Sequence, residues 1–177
     1  MQEQYYTLKT IIKSVFREKN NRLKKRLIYN YALFGGFSNN WIIFAFIILP
    51  FAMYAAIFNP TSFKALGLAQ AIVLSIILLV VAMQIVVVAS YFNNRKVLKT
   101  ATKAWENYFP TVDFKMILSS GETPYKDFTK YYESALEDGL EGEELKKKLV
   151  DAFKKMEDEN SILVDAIRRD KQKKEGK

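Results

Sequence analysis

The 177-residue chain contains no cysteine and no histidine. The first absence excludes thiol nucleophiles, disulfides and thiolate metal sites, and it fits a reducing compartment. The second removes every imidazole-based catalytic scheme and leaves no unperturbed side chain titrating near neutrality. Ser119-Ser120-Gly121 lacks the G-x-S-x-G spacing of a nucleophile elbow. No glycine-rich phosphate loop occurs either. These gaps lead us to expect a protein that is not an enzyme and holds no cofactor and no metal.

A third absence is local: no charged residue lies between Lys64 and Arg95. Residues 67–92 form a run of 26 uncharged positions, 15 of them Leu, Ile, Val or Phe. A spanning helix needs roughly 20 apolar residues. At about −0.3 to −0.6 kcal/mol each, the fifteen favour insertion by roughly 5–9 kcal/mol. This run is expected to be a transmembrane helix.

Charge gathers around it. Residues 1–34 carry eight basic and two acidic side chains, residues 93–104 carry four basic ones, and residues 105–177 are net acidic by three. The basic excess flanks the apolar segments on one side only, which is the positive-inside pattern. Both termini are therefore expected in the cytoplasm, with the chain integral to a bacterial inner or plasma membrane.

Taken in order, residues 4–34 are expected to form a basic amphipathic helix within a cytoplasmic or interfacial region 1–40. Tyr5, Leu8, Ile12, Val15, Phe16, Leu23 and Leu27 recur at helical spacing. No apolar stretch with a small-residue cleavage site follows a short basic start, so no signal peptide is expected. Lys9, Lys13, Arg17, Lys24, Lys25 and Arg26, together with Arg95, Lys96 and Lys99, are candidate contacts to an anionic leaflet. A stripe packed on the protein's own C-terminal part accounts for the same pattern, and the two readings are compatible. No nucleic-acid partner is expected.

Gly35-Gly36 and Ser38-Asn39-Asn40 break that helix, and Trp41 is placed as an interfacial anchor. Residues 41–58 are uncharged and make a first, shorter span that Pro50 should kink. Asn59-Pro60-Thr61-Ser62 is a turn. So short a link makes spans 41–58 and 67–92 antiparallel neighbours, a helical hairpin 41–92. Within it Gln70 and Gln84 share a face, and Ala52/Ala56 and Gly67/Ala71 are small-xxx-small pairs suited to helix contact. Packing and a subunit interface account for these residues more simply than a pore lining. Neither span carries an ionisable residue, which argues against a proton-driven stator, pump or ion-coupled transporter.

Region 93–177 is expected to be cytoplasmic and helical. The second span should continue to Phe109 and end at Pro110. Residues 111–121 fit a short helix or a packed connection. Thr123-Pro124 starts another helix, with Tyr125, Phe128, Tyr132, Ala135 and Leu136 on its apolar face, and Gly139 stops it. A last helix is expected over 142–170. Leu149, Phe153, Met156, Asn160, Leu163 and Ile167 follow a heptad spacing along it. That seam packs on the preceding helix or serves as a coiled coil for oligomerisation and partner docking. Carboxylates Glu137, Asp138, Glu141, Glu143 and Glu144 cluster at its start without the ligand spacing of a calcium loop.

The expected fold is thus all-α: an integral membrane two-helix hairpin with an N-terminal amphipathic helix and C-terminal cytoplasmic helices. In layout it is similar to the two-helix effector proteins of bacterial nucleotide-sensing defence systems, without a shared motif. The expected role is a non-catalytic subunit or scaffold of a membrane assembly that docks a cytoplasmic partner through its C-terminal helices. The alternative is a self-oligomerising pore-forming effector. The expected partners are the bilayer and other membrane subunits or further copies of the chain.

Overall fold

The computed structural model describes residues 6–175, so the expected contribution of Tyr5 lies outside the described residues. Helix dominates, in the order α1 (Leu8–Val15), strands β1 (Phe16–Lys19) and β2 (Arg22–Lys25), a 3-10 turn (Tyr31–Phe34), α2 (Asn40–Ile57), α3 (Pro60–Glu106), α4 (Phe114–Leu118), α5 (Phe128–Glu137), α6 (Gly142–Glu159) and α7 (Ser161–Glu175). Two compact units divide it. One comprises residues up to Arg26 together with Leu98 onward; the other comprises Leu27–Val97.

The long basic helix expected over 4–34 is not formed. Thr7 caps α1 by accepting the Thr10 N–H at 3.2 Å, and the helix ends at Phe16. The chain then reverses at Asn20-Asn21, where φ is 53° and 58°. Two consecutive left-handed residues make a primed hairpin turn, and asparagine is the side chain that best tolerates that geometry after glycine. β1 and β2 pair antiparallel, with Phe16 opposite Lys25, Arg17 opposite Lys24, Glu18 opposite Leu23 and Lys19 opposite Arg22.

The first unit is built on an aromatic core. Trp105, near the end of α3, is fully buried, with ring centroids 4.5 Å from Phe109, 4.8 Å from Phe114, 6.1 Å from Phe128 and 6.0 Å from Phe153. Its indole N–H donates to the Val112 carbonyl at 2.9 Å, so the one polar atom of the ring is satisfied. Phe128 of α5 stacks on Phe153 of α6, and Phe16 ties the hairpin to the same cluster. α5 starts at Phe128, later than the Thr123-Pro124 start expected. The Thr123 hydroxyl does accept the Tyr125 N–H, but residues 124–127 form a turn that tucks the Tyr125 ring against Phe153. Gly139 ends α5 with φ 69°, and the Leu140 and Gly139 N–H groups return to Ala135 and Leu136.

The helix expected over 142–170 is interrupted. α6 stops at Asn160 (φ −117°, ψ 33°), whose amide donates to the Met156 and Pro124 carbonyls. A polar residue in a heptad seam here serves as a helix end, and α7 begins afresh at Ser161.

In the second unit, α2 holds Pro50 in its interior. α3 contains a break at Gly67 (φ 75°, ψ 165°), a conformation that L residues with a Cβ rarely adopt. Beyond it the helix runs without interruption to Glu106, three residues short of the end expected at Phe109.

Candidate membrane-embedded surface

Both α2 and α3 are long and apolar enough to cross a membrane, and only 6 % of the most apolar stretch of each is buried. A core helix of a water-soluble protein is the common alternative for such a sequence, but it would be covered. Trp41, Phe44, Ile47, Phe51 and Tyr54 on α2 and Ile72, Ile76, Val80, Ile85 and Val88 on α3 are all exposed. So large a continuous apolar area far exceeds the few hundred Å² tolerated on a soluble surface.

Coverage within the unit is confined to one face of each helix. On α2 the residues withdrawn from exposure are Ile42, Leu49, Met53 and Ile57; on α3 they include Ala71, Ser75, Ala82, Val86, Ser90 and Val97. Spacings of four and seven mark one stripe apiece. The α3 stripe is mostly small residues, which permit close backbone approach. The Ser75 hydroxyl donates to the Ala71 carbonyl at 2.8 Å, so its polarity is spent inside the helix. An apolar groove of about 330 Å³ lies between Trp41, Ile42 and Ala45 on one side and Ile85, Val86 and Ala89 on the other.

Of the helix-contact residues expected from the sequence, Ala71 is fully buried and Gly67 half-buried at the break, whereas Ala52, Ala56, Gln70 and Gln84 are exposed. The stripe Ser75–Ala82–Ser90 escaped the sequence reading. Its small side chains at helical spacing were the available mark, hidden among larger apolar neighbours.

Where α3 leaves the apolar run, two asparagines grip the segment preceding α2. Asn94 Oδ1 accepts the Tyr29 N–H at 2.8 Å and its Nδ2 donates to the Leu27 carbonyl at 2.9 Å. Asn93 donates to the Tyr29 carbonyl at 2.7 Å. The amides supply the pairing that a segment outside helix and strand otherwise lacks.

The basic residues divide by environment. Lys9 is ion-paired with Glu141, Lys13 lies 3.0 Å from Glu18, Lys25 donates to the Leu118 carbonyl, and Arg26 donates to the carbonyls of Lys13 and Phe16. These four stitch the first unit together. Arg17, Lys24, Arg95, Lys96 and Lys99 are exposed. The Lys9 contact raises the lysine pKa and lowers that of Glu141, chiefly through their hydrogen bond. Burial raises the Tyr125 phenol, and its hydrogen bond to Glu157 adds to the shift. The acidic cluster is dispersed into pairs, with Asp138 taking Lys148 and Glu143 taking Lys146.

The C-terminal stripe is divided too. Leu149, Phe153 and Met156 are buried in their own unit; Leu163 and Ile167 are half-exposed, and Ile162 beside them is 85 % exposed. A groove of about 530 Å³ runs there, floored by Phe109, Met116, Val164 and Ile167 and rimmed by Glu157 and Arg168.

In comparison with known families, curated proteins and solved structures, the chain matches none.

Proposed function

We infer that this chain is a non-catalytic integral membrane subunit or scaffold. α2 and α3 would form a transmembrane hairpin with both termini in the cytoplasm, and the aromatic-cored helical unit would dock a cytoplasmic partner. The observation that carries this reading is the contrast in coverage: two apolar helices bare on all but one stripe, in a chain whose other, polar unit has a finished core. Since Leu149, Phe153 and Met156 are used internally, docking falls to α7, through the exposed Ile162, the half-exposed Leu163 and the groove that Val164 and Ile167 help to line. Purification of the full chain in mild detergent tests this. A stable second protein, lost with an Ile162→Glu substitution, supports it; a chain that remains alone contradicts it.

The second reading, a self-assembling pore or effector, draws support from Gln70 and Gln84. Both amides are exposed on an otherwise apolar surface, where another helix would relieve their cost. It predicts ring-like oligomers and ion leakage from liposomes holding the pure protein.

A further inference from the structure

The β1–β2 hairpin carries a charge pattern that its own fold does not neutralise. Arg17 stands opposite Lys24, and Lys19 opposite Arg22. Side chains alternate across a strand, so these four share one face, and all four are exposed. Like charges directly opposite one another destabilise an antiparallel pair, yet among the described residues none of the four has a carboxylate partner. The other face and the backbone of β2 hold the hairpin in place. Phe16 packs 6.2 Å from Phe128, Glu18 meets Lys13, and the Leu23 N–H donates to Glu133 at 2.6 Å. The cations are thereby fixed outward on a braced support.

We propose that this face docks on the anionic phospholipid headgroups of the membrane that the chain spans. The proposal rests on the membrane reading above and replaces the expected surface helix with a cationic hairpin that includes Lys19 and Arg22. Connectivity favours lipid as the polyanion. Fourteen residues separate Lys25 from Asn40 at the start of α2, at most about 50 Å of extended chain. A leaflet so tethered has a high effective concentration that no free polyanion shares. The face also lacks an aromatic side chain, whereas single-stranded nucleic-acid sites interleave cations with stacking rings. Guanidinium and ammonium groups both suit phosphate, and each cation near an anionic surface favours binding by roughly fivefold.

The absence of native cysteine allows one reporter. The full chain with Asn21→Cys, spin-labelled at the hairpin tip, is reconstituted into nanodiscs of phosphatidylcholine alone or mixed with phosphatidylglycerol. Relaxation of the label by a headgroup-anchored nickel chelate reports contact. We expect relaxation several-fold stronger in the anionic discs, falling with added salt. It should be lost in the R17E/K19E variant, which turns both like-charge pairs into opposite-charge pairs and so preserves the hairpin. The R17K/R22K variant should retain it. Equal relaxation in both lipids, or none lost in R17E/K19E, overturns the proposal while leaving the membrane reading intact. Release of the chain by alkaline extraction overturns both. Retention of an RNA oligonucleotide through these cations, with no response to lipid charge, overturns it in favour of nucleic acid.

Discussion

Asn94 holds Tyr29 by its backbone: the side-chain oxygen accepts the Tyr29 N–H at 2.8 Å while the amide nitrogen reaches the Leu27 carbonyl. Two hydrogen bonds from one side chain fix the segment that leads into α2. Each contributes about 0.5–1.5 kcal/mol, so Asn94→Ala should loosen the segment by about 1–3 kcal/mol. Hydrogen exchange of the Tyr29 amide in detergent micelles should accelerate by roughly tenfold, with amides in the middle of α6 unchanged. Asn94→Asp keeps the acceptor but not the donor and should fall between.

The hairpin turn makes a second prediction. With φ positive at both Asn20 and Asn21, a β-branched residue is strained there by about 1–2 kcal/mol. Asn21→Val should lower unfolding stability by that amount, whereas Asn21→Gly should be neutral or slightly stabilising. If residues 16–25 were helical, valine would be the milder change and glycine the worse, and denaturant titration distinguishes the two orders.

Trp105 anchors the polar unit. Replacement by alanine removes a fully buried ring and its hydrogen bond to Val112, a loss of about 3–5 kcal/mol. The near-UV circular dichroism of this core should collapse while the apolar helices of the second unit persist. By contrast, the buried Tyr132 hydroxyl has no hydrogen-bond partner among the described residues, and burial raises its pKa. Tyr132→Phe should therefore be neutral or stabilising, by up to about 1 kcal/mol.

The Lys9–Glu141 pair joins α1 to the start of α6 and gives a pH dependence of definite sign. The Glu141 carboxyl is held below its ordinary value of 4.5. Its contribution is therefore complete above about 4.5 and fades as pH falls through the lower folded value. Lys9 is raised above 10.5, so its contribution fades only as pH climbs beyond that. Between these limits the pair is flat with pH. Lys9 is partly exposed and Glu141 exposed, so salt screens the effect. Glu141→Gln should reduce the stability lost on acidification, measured by urea midpoints at neutral pH and below pH 4.

The apolar character of residues 67–92 and the helix continuing beyond them were legible, because a charge gap of that length has few structural readings. Gly139 as a helix stop was legible for the same kind of reason, one residue type in one geometry. The hairpin was not. Leu8, Ile12 and Val15 establish a helical period, and four-residue strands with only Phe16 and Leu23 apolar are too short to announce a period of two. Asn20-Asn21 was the one cue. Asn160 misled differently, since a polar residue within a heptad reads equally as a coiled-coil position and as a helix end. The covered stripes on α2 and α3 stayed hidden because, in segments apolar all round, composition does not distinguish the packed face from the bare one.

Membrane topology tests the central claim most directly. Single cysteines at Thr61, Asn21 and Gln172 are probed with a membrane-impermeant maleimide, before and after the cells are permeabilised. The account predicts that the Thr61 position reacts in intact cells while the other two react only after permeabilisation. Labelling of all three from one side, or recovery of the chain in the soluble fraction without detergent, would contradict it.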